Sequence, residues 1–423
     1  MAFIFPFITF LQPGILWPQL APFKPGLVIS LVALLIGLMH RRASTDRAVK
    51  QFSNSIFISL CIFVVVQAIS VHYSGVSVMM GFLSFWMTYA MFVAASCLLI
   101  RDVRTLMQFL MGTIAGSAVV IFYGLYAVAT HSPKLAGNRA GAYGMYENHN
   151  DFTFVILMSM PFAFMAIPLL KSKLAKLAML IFTAACIVGT VLSLSRGGMI
   201  CLVVMIAMLY WQVTRGTKRM LGIVALAIVG TGAILWQFAA REENQAGHYT
   251  AEDAKDSRYE LWRAARKVFE AHPILGVGSG RFGEHAGEYA ELSKSQRGKV
   301  THNTYLEVLT GSGLLGFLSF LGILWGIVRE SSARWGPKDS AVPKPIRIAT
   351  QICIVSLMLR SMLDAKAHDW SYYVLAVMGI AIASLRSAEK TPAAQNADLA
   401  AGVVAKSRGA PLSARPAVYS RRG

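Results

Sequence analysis

Apolar runs of about 20 residues recur along nearly the whole chain, the length needed to span a hydrocarbon core of ~30 Å. Only 14% of the 423 residues are charged, where a soluble domain carries about a quarter. Spans are read at about 2–20, 25–39, 53–73, 79–100, 105–129, 152–170, 174–192, 197–213, 219–238, 304–328, 346–363 and 370–386. The expected fold is therefore an all-α integral membrane protein of about twelve transmembrane helices, with one large external loop over 239–304 that itself contains helices. Pro6, Pro13 and Pro18 interrupt the first span. The five cysteines all fall inside apolar runs without disulfide or metal spacing and read as packing residues. The start, MAFIFPFITFLQPG, lacks a basic n-region, so no cleaved signal peptide is expected.

The net charge of +19 is distributed by side of the membrane. Connections 41–50, 101–104, 171–176, 215–219 and 329–347, with the tail from Arg386, hold 24 Lys/Arg against 6 Asp/Glu, a net of +18. The opposite side holds 15 against 14, a net of +1. This is the positive-inside pattern. It puts both termini in the cytoplasm and the 239–304 loop outside, and it explains the basicity by topology and an anionic leaflet rather than nucleic acid. Residues 1–386 form the membrane domain, and 387–423, rich in Ala, Pro, Ser and Arg, read as a disordered cytoplasmic tail.

Three external segments are polar and fall on one side: 130–151, SLSRGG at 193–198, and the long loop. Polar groups gathered at one mouth of a helical bundle suggest a single site. In the loop, Ser257 to Glu260 fits a capping box, opening a helix that runs to about Ala271 and stops before Pro273. Leu261, Trp262, Ala264, Ala265, Val268 and Phe269 form its apolar stripe, with Arg258 near the middle of that stripe. Two readings of Arg258 stay open: an anion site made with the helix N-terminus, or a snorkelling side chain at the membrane boundary.

Arg196, in LSLSRGGMI, sits between two apolar helices, where a guanidinium needs a compensating anion or carbonyl. Its fork suits phosphate oxygens, and Gly197 and Gly198 would let a ligand approach the backbone. A turn-stabilising arginine is the alternative. His302 and Asn303 open the next helix, where histidine suits proton transfer near neutral pH and a cap is the plainer reading. Gly313 and Gly316 read as helix packing. LGVGSGRFG (275–283) matches no nucleotide-binding fingerprint and reads as a flexible turn presenting Arg281. Glu284, His285, Glu288 and Glu291 read as an exposed mixed-charge face, and Arg360 with Asp364 as a local ion pair. No DxD motif is present, so no metal is expected.

His302-Asn303 followed by Gly313-x-x-Gly316, SRGG at 195–198, Arg258-YELW-RAA with HPILGVGSGRF, and NRAGAYGMYENHN together resemble the bacterial O-antigen ligase and O-antigen/exopolysaccharide polymerase family. The resemblance runs from about residue 100 onwards, with His149 where the family usually has Pro. It implies transfer of a glycan from undecaprenyl pyrophosphate to an acceptor hydroxyl at the outer face of the inner membrane. Arg196 and Arg258 would bind the pyrophosphate, with Arg139 and Arg281 as weaker candidates and Asn150 as a further substrate-binding residue. His302 would be the general base and Asn303 would help orient the acceptor. Direct displacement inverts the anomeric centre, without metal or other cofactor. The expected acceptor is lipid A–core (a ligase) or a growing polysaccharide (a polymerase). A transporter of a small anion or lipid-linked sugar is the reading from another class, and it predicts midplane charges and internal repeats that are not visible.

Overall fold

The computed structural model describes residues 1–23, 25–39, 51–132, 139–244, 251–294, 296–332 and 341–389. All regular elements among them are helical. In chain order they are α1 (Ile4–Leu11), α2 (Pro13–Leu16), α3 (Pro25–Met39), α4 (Ser55–Ile69), α5 (Val76–Leu99), α6 (Val103–Ala129), α7 (His149–Ala166), α8 (Lys173–Leu192), α9 (Arg196–Val213), α10 (Gly216–Asn244), α11 (Ala251–Ala271), α12 (Phe282–Tyr289), α13 (Thr304–Ser332), α14 (Lys344–Ser361) and α15 (Trp370–Glu389). The disordered tail expected after residue 386 lies outside the described residues, apart from the last turn of α15.

Each expected span meets a helix, and the helices differ in described length and apolarity. Among the described residues seven helices are long and apolar enough to traverse a bilayer: α5, α6, α7 with its 3₁₀ extension, α8, α9, α10 up to Trp236, and α13. The α1–α2 segment, α3, α4 and α15 are apolar but shorter. The first expected span is broken into α1, α2 and a 3₁₀ turn at Pro18–Phe23, with Pro13 and Pro18 each opening a new element, while Pro6 is accommodated in the first turn of α1.

Helix α7 is apolar on all sides and buried over nearly its whole length, as a central helix must be. Around it pack α8, α9, α14 and α15. Helix α10 is the opposite case: Leu221, Val224, Ile228, Val229 and Leu235 are all exposed, a face that only lipid would cover favourably. The chain is thus a multi-pass membrane protein.

Helix α11 starts at Ala251, so Ser257 is not its N-cap. Ala251, Glu252 and Ala254 favour helix, and acidic residues such as Glu252 and Asp253 suit a first turn, so the helix begins well before the proposed capping box. Its apolar stripe forms a second, small core. Leu261, Ala264, Ala265 and Val268 are fully buried against Val277, Phe282 and Ala286. Burying Leu261 and Val268 contributes roughly 1.5–3 kcal/mol each. Trp262 leaves this core and donates from Nε1 to the Thr301 carbonyl at 3.0 Å.

The glycine-rich segment after α11 is not a flexible turn but is docked in a break of α13. Gly313 has φ 63° and ψ −164°, outside helical geometry. The freed backbone groups are taken up by the incoming segment: Leu314 N donates to the Pro273 carbonyl (2.8 Å), while Val277 N and Gly278 N donate to Thr310 O (2.9 Å) and Gly311 O (3.0 Å). A Cβ on Gly313 would lie 2.2 Å from the Ile274 carbonyl. Gly313 therefore serves a backbone crossing rather than helix–helix packing. Gly313→Ala combines a left-handed φ with a backbone clash, each costing about 1–3 kcal/mol. Its expected outcome is a marked drop in thermal stability and faster proteolysis within 272–281, measured on the purified protein.

Candidate functional site

The N-terminal ends of α7, α9 and α13 meet the C-terminal end of α14 and the 362–369 connection to α15. At the opposite end of α13, Glu330 is buried and paired with Arg329 (2.5 Å) and with Arg386 of α15 (3.8 Å). The charged sequences at the two ends are thus built differently, one as a closed anchor and the other around a cleft.

His302 lies just before α13 with φ 52°, an uncommon backbone for a non-glycine residue. Its ring is about a third exposed, and Nδ1 is 3.8 Å from Asp364 Oδ1. The cap reading of the following residue has a direct geometric counterpart: Asn303 Oδ1 accepts from Tyr305 N (3.0 Å) and Leu306 N (3.2 Å). Thr304 ties the helix start to the connection, donating to the Asp364 carbonyl (2.6 Å) and accepting from Lys366 N (3.0 Å). Glu307, one turn into α13, accepts from both the Thr301 amide (3.0 Å) and hydroxyl (2.9 Å). These bonds fix the loop that presents His302.

Asp364 is the junction of the cluster. Its Oδ2 accepts from Arg360 at 3.1 Å, and both side chains are buried, Arg360 at 1% exposure. Burial alone would raise the Asp364 carboxyl, but His302, Arg360 and the Ala365 amide outweigh it and hold it well below the usual range. A carboxyl depressed below its unfolded value of about 3.9 contributes stability that is complete above that value and is lost as the pH falls toward its folded value. The melting temperature should not depend on Asp364 ionisation between about pH 5 and 8, and it should fall below about pH 4. Asp364→Asn should flatten that acid limb in a melting series across the same range.

Arg360 also donates to Thr153 Oγ1 and to the Asn150 carbonyl, both at 3.3 Å, and lies 5.0 Å from the Phe154 ring centroid. Sequence reading took Arg360 and Asp364 as a local pair only. Asp364 stands 62 residues after His302, which hid its convergence with that ring.

Arg258 donates to the Leu363 carbonyl at 3.5 Å. Burial lowers its pKa, and the positive charges of Arg196 and Arg360 lower it further, against the attraction of Asp364. Three guanidinium groups and one carboxylate thus share one end of the bundle. Because α11 begins at Ala251, Arg258 is about two turns inside the helix. Free N–H groups of a helix terminus therefore do not join it.

Ser195 caps α9, accepting from Gly198 N (3.2 Å) and donating to Asn150 Oδ1 (2.7 Å). The space beside the two glycines is filled by protein: a Cβ on Gly197 would be 3.0 Å from Arg360 Nη1, and one on Gly198 would be 2.6 Å from Thr153. Their small size admits α7 and Arg360, not a ligand. Arg139 is buried and donates to the Ser193 (3.0 Å) and Leu194 (2.9 Å) carbonyls, clamping the turn before Arg196. Arg281 is placed elsewhere, against Glu284 (2.7 Å) and 5.6 Å from the Tyr73 ring centroid. His285 likewise pairs with Glu288 at 3.2 Å, and among the described residues no group of three or more His, Cys, Asp or Glu is arranged to hold a metal.

On the other side of the 362–369 connection, Lys366 Nζ meets Asp151 Oδ2 at 2.8 Å. This pair was missed in the sequence, since 215 residues separate the partners. The dense run DAKAHD at 364–369 was the available signal.

Residues 178–321 match the family model of the O-antigen ligases. The matched stretch contains Arg196, Arg258, Arg281, His302 and Asn303, and excludes Arg139, Asn150, Arg360 and Asp364. The exopolysaccharide production protein ExoQ of Rhizobium meliloti (strain 1021) is 23% identical over 248 residues, 53% of this chain and 53% of that protein. The chain thus spans about half the length of this curated relative.

Proposed function

We propose, from the chain's place in the O-antigen ligase and polymerase family, that it transfers a glycan from undecaprenyl pyrophosphate to an acceptor hydroxyl at the outer face of the bacterial inner membrane. The observation that carries this reading is the His302–Asp364 contact at 3.8 Å beside the guanidinium groups of Arg258, Arg360 and Arg196. Charge asymmetry supports cytoplasmic termini and an outward-facing site.

In this reading the acceptor hydroxyl gives its proton to His302, whose other ring nitrogen faces Asp364. The carboxylate orients the ring and stabilises the imidazolium as it forms. The acceptor oxygen bonds to the anomeric carbon as the carbon–oxygen bond to phosphate breaks, inverting that centre. Undecaprenyl pyrophosphate leaves with the electron pair. Arg196 and Arg258 stabilise its growing charge as fixed cations in a partly desolvated site, which requires no metal. Arg360, already bound to Asp364, Thr153 and Asn150, holds the base's partner in place. Asn303 positions His302 by capping α13, and Asn150 and Arg139 shape the wall around Arg196.

Ligation to lipid A–core is the activity assigned first. Polymerisation of an exopolysaccharide or O-antigen is the second, favoured by the similarity to ExoQ. A deletion strain analysed by polysaccharide gel separates them. Loss of all modal O-antigen from lipid A–core, with polymer kept on the carrier, identifies a ligase. A core bearing a single repeat unit, or loss of long exopolysaccharide, identifies a polymerase. Plasmid-borne Arg196→Ala and Arg258→Ala should each fail to restore the profile, at about 10²–10³-fold lower transfer. Unchanged profiles in the deletion strain would refute the transferase reading.

A further inference from the structure

Helix α11 reaches both sides of the His302–Asp364 pair through the backbone. Arg258 donates to the Leu363 carbonyl, one residue before Asp364, at 3.5 Å, and Trp262 donates to the Thr301 carbonyl, one residue before His302, at 3.0 Å. The two side chains are four residues apart and so share one face of the helix. The Arg258 contact is long for a hydrogen bond, whereas that of Trp262 has an ordinary length. Burial does not account for Trp262. Leu261, Ala264 and Ala265 beside it are fully buried in the small core, yet Trp262 is 38% exposed. A ring recruited for its area would be turned inward. This one is turned so that its single donor, Nε1–H, meets a backbone acceptor.

That acceptor is a sensitive one. The Thr301 carbonyl and the His302 amide belong to one planar peptide unit, so a bond to the oxygen fixes the plane whose orientation sets φ of His302. The next plane, His302–Asn303, is held by Asn303 N donating to Thr301 Oγ1 at 3.3 Å. Thr301 N donates to Glu307 Oε2 at 3.0 Å, so this fully buried residue is anchored to α13 by its amide and to α11 by its carbonyl. His302 has φ 52°. A non-glycine residue stays in that region only where its surroundings over-determine it. Without the Trp262 bond one plane is free to turn, and the Cα–Cβ direction of His302 turns with it.

We propose that Trp262 is a positioning residue for His302: its indole N–H holds the Thr301–His302 peptide in the left-handed conformation that aims the imidazole at Asp364. For its effect on rate the proposal rests on the reading of His302 as the general base. For its effect on the loop it rests on the hydrogen bonds alone.

The test uses the full-length protein in nanodiscs. Trp262→Phe keeps an aromatic ring and removes the donor, and replacement of Trp262 by benzothienylalanine keeps the shape of the whole ring system and lacks only the N–H. In both variants hydrogen exchange of the 301–304 amides should quicken by ~3–10-fold, with the rest of α13 exchanging as in wild type. The kcat for glycan transfer should fall by ~10–100-fold. KM for the undecaprenyl-pyrophosphate-linked donor should stay within about twofold, since Arg196 and Arg258 are untouched. In a His302→Ala background Trp262→Phe should cause no further loss, and in an Arg196→Ala background its full effect should persist. A residue serving stability alone would lower transfer by one factor in every background. Unchanged exchange in the benzothienylalanine variant, unchanged kcat beside an active wild type, or a full further loss in the His302→Ala background would overturn the proposal. Faster loop exchange with no transfer by the wild type would count against the transferase reading and leave the hold on the loop standing.

Discussion

Replacing His302 by alanine should lower glycan transfer by about 10²–10⁴-fold, the range for loss of a general base, with the protein still made and inserted. The ring is about a third exposed and its described contact is with Asp364, so little packing is lost. Stability should change by about 1 kcal/mol or less. Asp364→Asn should reduce transfer less than His302→Ala, because it leaves the base present but removes the charge that orients its ring. A reconstituted assay with saturating donor reads both rates. Equal rates for wild type and His302→Ala would remove His302 from the chemistry.

Arg360→Met should have the largest effect on stability. The guanidinium is 1% exposed and is held by Asp364, Thr153, Asn150 and the face of Phe154. Its removal leaves the Asp364 carboxylate buried with a reduced set of partners, a change costing about 3–5 kcal/mol. The expected result is a large loss of folded protein in the membrane and a lower melting temperature in detergent. Adding Asp364→Asn to the same chain should recover part of that stability, since it removes the stranded charge. No recovery in the double variant would mean that Arg360 acts through packing alone.

Positions of the helices were legible because apolar runs mark them directly. Their bounds were less so, since Pro13 and Pro18 divide the first element and α4 (Ser55–Ile69) is shorter than the apolar run that marks it. The placement of Arg258 on an apolar stripe correctly marked a side chain turned toward the protein, next to Leu363, and the helix start at Ala251 was missed because the capping-box pattern at Ser257 occurs inside a longer helix. Gly313 looked like a packing glycine because spacing reports a helix face and not a backbone break. Gly197 and Gly198 looked like room for a ligand, and the occupants, Arg360 and Thr153, come from segments remote in sequence. The same distance concealed Asp364 beside His302 and Lys366 beside Asp151. Local patterns identify chemistry-bearing residues, and only tertiary packing shows which of them share a site.

The most direct test of the account is a transfer assay on the purified chain. Undecaprenyl-pyrophosphate-linked glycan and a lipid-anchored acceptor are supplied, and release of undecaprenyl pyrophosphate is followed together with glycan on the acceptor. The account predicts that wild type yields both products in equal amounts, and that His302→Ala yields about 1% of that or less. Transfer by His302→Ala at the wild-type rate, or no transfer by correctly folded wild type with either acceptor, would contradict it.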